Sequence, residues 1–267
     1  MLDPGRLWRT LATGFCFVVF TCGALCLSCV FLPLLRLFLR DPDVLGRQTR
    51  RFVRLYFRFI TLLIVRLGCM RLSIEGVDKL KDARGVLVFA NHPTLIDVVV
   101  LMGLIPEANC VVKSSLFRSL ALGPTLRSAG YLENAESDRL VAGCLRSMEA
   151  GQPLIIFPEG TRTTPGRPVV FQRGPAHLML ATRRPFLPVL IRCQPDTLLK
   201  GQPWYHVPER RFDLELRVLD EVAPEAWAAQ IADLPRPMAV RKLTRQLELF
   251  FVSKADVSAA PHDPFDS

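Results

Sequence analysis

The feature that most restricts the fold of this chain is a run of 25 residues, Leu11 to Leu35, without a charged side chain. A stretch of this length can cross the hydrocarbon core of a bilayer as one helix. It is too long for the apolar part of a signal peptide, and no small-residue cleavage site follows it cleanly. Pro33 is expected to kink or end the helix. We therefore predict that the N-terminal segment associates with a membrane.

Arginine is concentrated around this run. Residues 1–70 hold ten Arg, no Lys and three Asp, which account for +7 of the chain's net charge of +9. Basic side chains beside apolar sequence indicate an anionic bilayer surface as a partner, and no nucleic-acid-binding motif accompanies them. More arginines follow the run than precede it. This asymmetry predicts that the C-terminal domain of a spanning protein faces the cytoplasm. The expected location is a membrane of the bacterial inner type.

A second helix is predicted directly after the run. Its arginines recur at three- and four-residue steps, as on one face of a helix: Arg47, Arg50, Arg51, Arg54 and Arg58. Apolar residues such as Leu55 and Phe59 flank them. This pattern is typical of an interfacial helix that places arginine side chains among lipid headgroups.

The eight cysteines give no metal site or disulfide framework. Four of them lie inside the apolar run, and the other four are scattered over the rest of the chain. Cys26 and Cys29 form a C-x-x-C pair but lack a second pair of ligands, so we interpret them as small packing residues. The scatter of the remaining thiols indicates a reducing compartment.

After residue 69 the chain alternates between strand-like and helix-like segments. Strands are predicted at 71–75, 86–89, 154–157, 186–191 and 212–219. Helices are predicted at 95–104, 136–150 and 237–252. The alternation predicts an α/β fold, in which a mixed sheet is surrounded by helices. We expect membrane-associating helices in residues 1–68, one α/β domain in 69–252 and a disordered tail in 253–267.

The first candidate site is Asn91-His92-Pro93-Thr94-Leu95-Ile96-Asp97, which follows the predicted buried strand at 86–89. Proline restricts the preceding residue to extended conformations, so His92 should lie at the turn from strand to helix. Asp97, inside the helix, can then reach one imidazole nitrogen and leave the other as a base. N–H groups at the helix start suit a developing oxyanion. The alternative is a turn histidine that caps the helix beside a solvated Asp97.

The second candidate site is Phe157-Pro158-Glu159-Gly160-Thr161-Arg162-Thr163, at the end of another apolar run. Active sites of open α/β sheets usually lie at the carboxyl ends of strands. The planar guanidinium of Arg162 suits a phosphate group, and Thr161 can donate a hydroxyl. Glu159 can accept from a substrate hydroxyl or orient Arg162. The alternative is a structural turn with a surface Glu–Arg pair.

Together and in this order, the two segments resemble signatures of the glycerolipid acyltransferases, the family that includes the 1-acylglycerol-3-phosphate acyltransferases. Two more segments extend the resemblance over residues 71–192. Phe171-Gln172-Arg173-Gly174 is similar to the family's basic-Gly step, and Leu187–Ile191 is similar to its last apolar block. The resemblance implies transfer of a fatty acyl group from acyl-CoA or acyl-carrier protein to the hydroxyl of a lysophospholipid. It implies phospholipid biosynthesis, with 1-acylglycerol-3-phosphate as the expected acceptor.

The resemblance also implies residue roles. His92 and Asp97 would be catalytic, with His92 taking the proton of the acceptor hydroxyl as it attacks the thioester. Substrate binding is expected at Glu159, Gly160, Thr161 and Arg162. No covalent acyl-enzyme is implied, since the chain lacks a G-x-S-x-G motif, and no metal or nucleotide cofactor is expected. Family members can hold an N-terminal helical pair in one leaflet, so a monotopic hairpin and a spanning helix both stay open.

One position departs from the family pattern. Members that act on lysophosphatidic acid often end a block rich in Gly and aromatic residues with a basic residue that helps to hold the acceptor phosphate. The corresponding stretch here ends at Asn134. Asn134 and Arg173 are therefore candidate acceptor-binding residues, alongside Arg139 and Arg162. Another lipid hydroxyl, as in a lyso-aminolipid or a secondary-metabolite lipid, is the alternative acceptor.

Two other classes of function fit the sequence. A thioester hydrolase could use the same pair, His92 and Asp97, to activate water, and would release free fatty acid without an acceptor. A catalytically silent membrane-binding protein could retain the fold, and its function would persist after replacement of His92.

Overall fold

The structure, a computed structural model, describes residues 4–134 and 138–257. Seven strands form one sheet: β1 (Met70–Glu75), β2 (Leu87–Ala90), β3 (Asn109–Lys113), β4 (Leu132–Asn134), β5 (Leu154–Ile156), β6 (Phe186–Gln194) and β7 (Phe212–Val218). Their order across the sheet is β1-β7-β6-β2-β5-β3-β4. Every neighbouring pair is parallel except β6 and β7, which are antiparallel. The predicted mixed sheet is therefore confirmed.

Eleven α-helices are present in the described residues. They are α1 (Pro4–Cys26), α2 (Leu32–Phe38), α3 (Pro42–Arg66), α4 (Val77–Asp82), α5 (Ile96–Leu104), α6 (Ser114–Phe117), α7 (Gly123–Ala129), α8 (Asp138–Glu149), α9 (Gly174–Thr182), α10 (Glu225–Ala228) and α11 (Arg236–Val257). A single π-helical turn, Leu27–Phe31, joins α1 to α2, and a 3-10 turn, Ala229–Ile231, follows α10. Helices cover both faces of the sheet, as the sequence pattern predicts for an α/β fold.

The central strand β2 is buried on both faces, which explains its continuous apolar sequence. Successive side chains of a strand point to opposite faces, so β2 contributes to two separate core layers. Val88 and Ala90 pack in the layer that contains side chains of α3 and α5. Leu87 and Phe89 pack in the layer that contains side chains of α8, α9 and α11. The sheet is thus held between two helical layers, with β2 at its centre.

The apolar run of the sequence forms one continuous helical segment, Pro4–Phe38, that is long and apolar enough to cross a membrane. Only 22% of its most apolar window is buried against the rest of the protein. Of the two outcomes expected at Pro33, an end of the helix is not observed, because the residue lies within the first two positions of α2. The π-helical turn before it changes the hydrogen-bond spacing, which lets the chain pass a residue without an N–H group.

Helix α3 lies against α1. The Tyr56 hydroxyl donates to the carbonyls of Val19 and Phe20, at 3.0 and 2.9 Å. Gly23 makes this approach possible, since a Cβ atom there would lie 2.4 Å from the Tyr56 hydroxyl oxygen. The two N-terminal helices are therefore a packed pair, and not a single isolated span.

The arginine face predicted for α3 is wrong at two positions. Arg50 is buried and donates to the Glu107 carboxylate at 3.1 Å and to the Ala129 carbonyl at 2.7 Å. Arg54 is half-buried and donates to the carbonyl of Leu104. Arg51 and Arg58, like Arg47, are exposed. Residues spaced by three and four positions share one face of a helix. Here part of that face packs against the protein, where carbonyl groups at the ends of other elements need hydrogen-bond donors.

The predicted boundary at residue 253 falls inside α11, which continues to Val257. Residues 258–267 of the predicted tail lie outside the described residues. Helix α3 contributes Val53, Ile60 and Ile64 to the same core layer as the sheet. The division between helices 1–68 and an α/β domain stays a prediction, but these two regions share one core.

Arg50 gives a test of this packing. We expect Arg50→Ala to lower the free energy of unfolding by about 2–3 kcal/mol, because it leaves the Ala129 carbonyl without its donor. Arg51→Ala, one residue along and exposed, should change it by no more than about 0.5 kcal/mol. Chemical denaturation in detergent compares the two variants. Equal losses would contradict the inward role of Arg50.

Candidate active site

The turn between β2 and α5 holds His92 against Asp97. Nδ1 of His92 lies 3.0 Å from Oδ2 of Asp97, and the N–H of Thr94 donates to the same oxygen at 2.9 Å. Asp97 is fully buried, whereas 15% of the His92 side chain is exposed. When Asp97 is ionised its carboxylate only accepts hydrogen bonds, so Nδ1 then carries the proton and Nε2 keeps a lone pair. The geometry predicted for these two residues is present.

Burial and the hydrogen-bond partners of Asp97 shift its pKa in opposite directions. Burial raises the pKa of Asp97 above its ordinary value. The hydrogen bond from His92, the charge of His92 and the Thr94 N–H act in the opposite direction, and the charge of Glu159 adds to the rise. A buried carboxylate of this kind stabilises a positive charge on the imidazole beside it.

The second motif lies beside the first because β2 and β5 pair in parallel. Phe157, directly after β5, stacks on the His92 ring with centroids 4.2 Å apart. The buried carboxylate of Glu159 accepts from the N–H of His92 at 3.0 Å and from the Thr163 hydroxyl at 2.8 Å. The N–H of Thr163 donates in turn to the His92 carbonyl at 2.7 Å. Both polar groups of the His92 backbone are thus fixed by the second motif.

The contacts of Glu159 do not include Arg162, which it was suggested to orient, and its suggested bond to a substrate hydroxyl stays a prediction. Its carboxylate takes a backbone N–H and a hydroxyl, and no ion pair with Arg162 occurs among the described residues. Arg162 donates through Nη1 to the carbonyls of Leu198 and Leu199, at 2.7 and 3.1 Å. Glu159 therefore positions His92, while Arg162 reaches the loop between β6 and β7.

The other candidate residues are Gly160 and Thr161 of the second motif, and Asn134 and Arg173 outside it. Gly160 has a φ of +67°, which favours glycine, and a Cβ atom there would lie 3.1 Å from Gln172 Cγ. Thr161 is exposed. Asn134 is exposed at the end of β4, where its carbonyl accepts from the Ser114 hydroxyl. Arg173 is exposed just before α9. No described hydrogen bond links Asn134 or Arg173 to His92, so their binding roles stay predictions.

Two residues of this edge were missed from the sequence. Lys113 is exposed at the carboxyl end of β3, a strand parallel to β5, so it lies at the same edge of the sheet as the two motifs. The sequence feature that could have identified Lys113 is a basic residue at the end of an apolar strand. The side-chain amide of Asn91 bonds both backbone groups of Ile191 at 2.7 Å and so fixes the start of the first motif to β6.

An apolar cavity of about 380 Å³ adjoins His92. Its walls come from α1, α3, α5, β3, α7 and the loop between β6 and β7. Lining residues include His92, Phe17, Ile60, Val99, Val112 and Leu198. The sequence could not indicate this space, because it forms only where the N-terminal helices pack over the domain.

Comparisons with known proteins point to one family. The sequence profile of the acyltransferase family, described as "Acyltransferase", matches residues 71–192. This match spans both motifs, so residues 71–192 are similar to the acyltransferase family. The chain is distantly homologous to 1-acyl-sn-glycerol-3-phosphate acyltransferases.

Three such relatives illustrate the distance. The protein of Cocos nucifera is 30% identical over 45% of this chain and 41% of its own length. That of Limnanthes alba is 29% identical over 66% of this chain and 64% of its own. The alpha enzyme of Homo sapiens is 28% identical over 63% of this chain and 60% of its own. The matches thus span less than two thirds of these relatives.

The fold is shared with a solved structure. The crystal structure described as the 1-acyl-sn-glycerophosphate (LPA) acyltransferase, PlsC, from Thermotoga maritima superposes with a TM-score of 0.60. The alignment covers 97% of this chain and 98% of that chain at 19% identity. At this identity the likeness establishes the fold and leaves the substrate to be argued from the site.

Asp97 should leave a signature in the pH dependence of stability. Its pKa is raised, so the folded state binds that proton more tightly than the unfolded state, where an Asp titrates near about 3.9. The stability that Asp97 contributes is fully present below its pKa in the unfolded state. It is lost as pH rises through its pKa in the folded state. Asp97→Asn should therefore gain stability relative to wild type as pH rises.

Chemical denaturation at several pH values measures this difference. Asp82→Asn, at an exposed position at the end of α4, is the matched control and should follow the wild-type pH dependence. A relative stability of Asp97→Asn that falls with rising pH would show that the partners of Asp97 outweigh its burial.

Proposed function

We propose that this protein transfers a fatty acyl group from an acyl thioester, acyl-CoA or acyl-carrier protein, to the hydroxyl of a lysophospholipid. One observation carries the proposal: a histidine with a buried carboxylate on Nδ1 lines an apolar cavity. Such a cavity suits an alkyl chain, because burial of each CH₂ group contributes about 0.8 kcal/mol. The base and the chain-binding space are then adjacent, as acyl transfer requires.

The reaction follows from the His92 geometry. Nε2 takes the proton of the acceptor hydroxyl while the hydroxyl oxygen attacks the thioester carbonyl carbon. Asp97 stabilises the imidazolium that forms. The tetrahedral intermediate collapses, the carbon–sulfur bond breaks, and the thiolate leaves with the proton that the imidazolium returns. N–H groups at the start of α5 would stabilise the oxyanion.

We propose 1-acylglycerol-3-phosphate as the acceptor. Support comes from the names of the relatives and from two cations, Arg162 in the segment after β5 and Lys113 at the end of the neighbouring strand β3. Arg162 uses Nη1 for backbone carbonyls, which leaves its other N–H donors for a phosphate oxygen. Lys113 stands in β3 directly opposite Asn134 of β4. It therefore supplies a positive charge beside the position where the family pattern would place one.

Membrane attachment is part of this proposal. The helical segment Pro4–Phe38 would anchor the protein, with exposed apolar side chains such as Leu11, Phe15 and Val18 in contact with lipid. The exposed arginines of α3 would lie at anionic headgroups, and the catalytic edge would face the cytoplasm. A bilayer-bound enzyme of this kind takes its acceptor from the lipid surface.

Catalysis by His92 is tested by substitution. We expect His92→Ala to lower acyl transfer at least about 10³-fold with little change in stability, since the side chain sits at a turn and contributes the general base. Purified protein is incubated with lysophosphatidic acid and acyl-CoA or acyl-carrier protein, and products are identified by mass. Near-normal turnover would refute the assignment. Release of free fatty acid without an acceptor would instead favour the hydrolase.

The positioning role of Glu159 predicts a different pattern. Glu159→Gln keeps an oxygen that can accept from the His92 N–H and the Thr163 hydroxyl, so acyl transfer should stay within about tenfold of wild type. Glu159→Ala removes both bonds and frees the His92 backbone, and a misplaced base costs about 10²-fold. Initial rates with saturating substrates compare them. Equal loss in both variants would point to a need for the charge itself.

A further inference from the structure

The loop between β6 and β7, residues 195–211, forms part of the wall of the apolar cavity. Thr197, Leu198 and Val207 are buried and line it. Leu198 also belongs to the core layer beneath the N-terminal helices. The position of this loop therefore decides the width of the cavity on one side.

Two arginines from distant parts of the chain hold the loop. Near its start, Nη1 of Arg162 donates to the carbonyls of Leu198 and Leu199. Near its end, Arg9 of α1 donates to the carbonyls of Pro208 and Glu209. Each guanidinium satisfies carbonyls that have no strand partner, because the loop lies outside the sheet ladder.

The backbone conformation of Leu198 shows why the loop needs these hydrogen bonds. Its φ is +52°, in the left-handed region that is unfavourable for a side chain of this shape. A residue in this region costs of order 1–3 kcal/mol and persists only where its surroundings enforce it. Arg162 bonds the carbonyl of Leu198 itself, at 2.7 Å.

Between these two points the loop rests on α1. The ring of Trp204 lies over Gly14, where a Cβ atom would be 2.9 Å from Trp204 Cζ3. The same ring is 6.2 Å from that of Phe17, another residue that lines the cavity. The loop thus joins the second motif to the N-terminal helix across the cavity.

We propose that Arg162 is a positioning residue for the loop 195–211, and that through Leu198 it determines which acyl chains the cavity accepts. The inference deepens the proposed function and rests on it. Arg162 then links the acceptor edge to the donor chain: its Nη1 group bonds the loop that walls the acyl cavity, and its other N–H groups would bind the acceptor. A role limited to the acceptor phosphate would leave the cavity unchanged when Arg162 is replaced.

The first test needs no activity. Hydrogen exchange of the peptide that covers residues 195–211 is measured in the full-length protein in detergent. We expect faster exchange in Arg162→Ala than in wild type, because two carbonyl bonds and the hold on Leu198 are lost. Arg167→Ala removes an exposed arginine five residues along and should exchange as wild type does. Unchanged exchange in Arg162→Ala would overturn the proposal.

The second test is the acyl-chain profile. Wild type and variants receive an equimolar mixture of saturated acyl-CoA donors of graded length with lysophosphatidic acid, and products are separated by mass. One methylene in a fitted pocket is worth about 10-fold or more in discrimination. We therefore expect Arg162→Ala to lower the preference between neighbouring chain lengths by about tenfold, whereas Arg167→Ala keeps it.

Leu198 provides the matched readout. Leu198→Ala should flatten the profile in the same way as Arg162→Ala, and the double variant should show no further change, since both act through one loop. A raised acceptor KM with an unchanged chain-length profile in Arg162→Ala would overturn the proposal. Absence of acyl transfer in wild type itself would refute the proposed function, and the exchange measurement would then decide the role of Arg162 in the loop.

Discussion

The parallel pairing of β2 with β5 is the constraint on which the candidate site depends. It sets Phe89 beside Ile156, so the two segments that follow these strands leave the sheet at the same edge. Glu159 can then accept from the backbone N–H of His92, and Thr163 can donate to the His92 carbonyl. A shift of one residue in this register would point every side chain of β5 to the other face and separate the two motifs.

This pairing also explains why the site is rigid on one side and open on the other. The backbone of His92 is fixed by the second motif, and Asn91 is fixed to β6 through its side-chain amide. Asp97 holds the ring from within α5. Nε2 is the part of the histidine left for a reacting group. The imidazole is therefore oriented when the protein folds, and the entropy of orienting it is not lost again in each turnover.

Much of the site could be predicted from local sequence, because local spacing controls it. Pro93 keeps His92 out of the helix, and Asp97 follows within reach. The partners of Glu159 and Arg162 could not be predicted, since they depend on strand pairing and on a loop some 36 residues further along. For the same reason Arg50 was misplaced: helical periodicity defines a face, but only the packing of α3 against α5 and α7 shows whether it points to lipid or to Glu107 and Ala129.

The stacking of Phe157 on His92 has a consequence for the proposed proton transfer. Neutral imidazole gains ordinary aromatic contact from a ring whose centroid is 4.2 Å away. Once Nε2 takes a proton, the ring becomes a cation over the negative face of the phenyl group, and cation–π attraction adds about 0.5–2 kcal/mol. That attraction is absent before the proton moves and present afterwards. Phe157 therefore favours the charged intermediate over the resting state through its contact with the His92 ring.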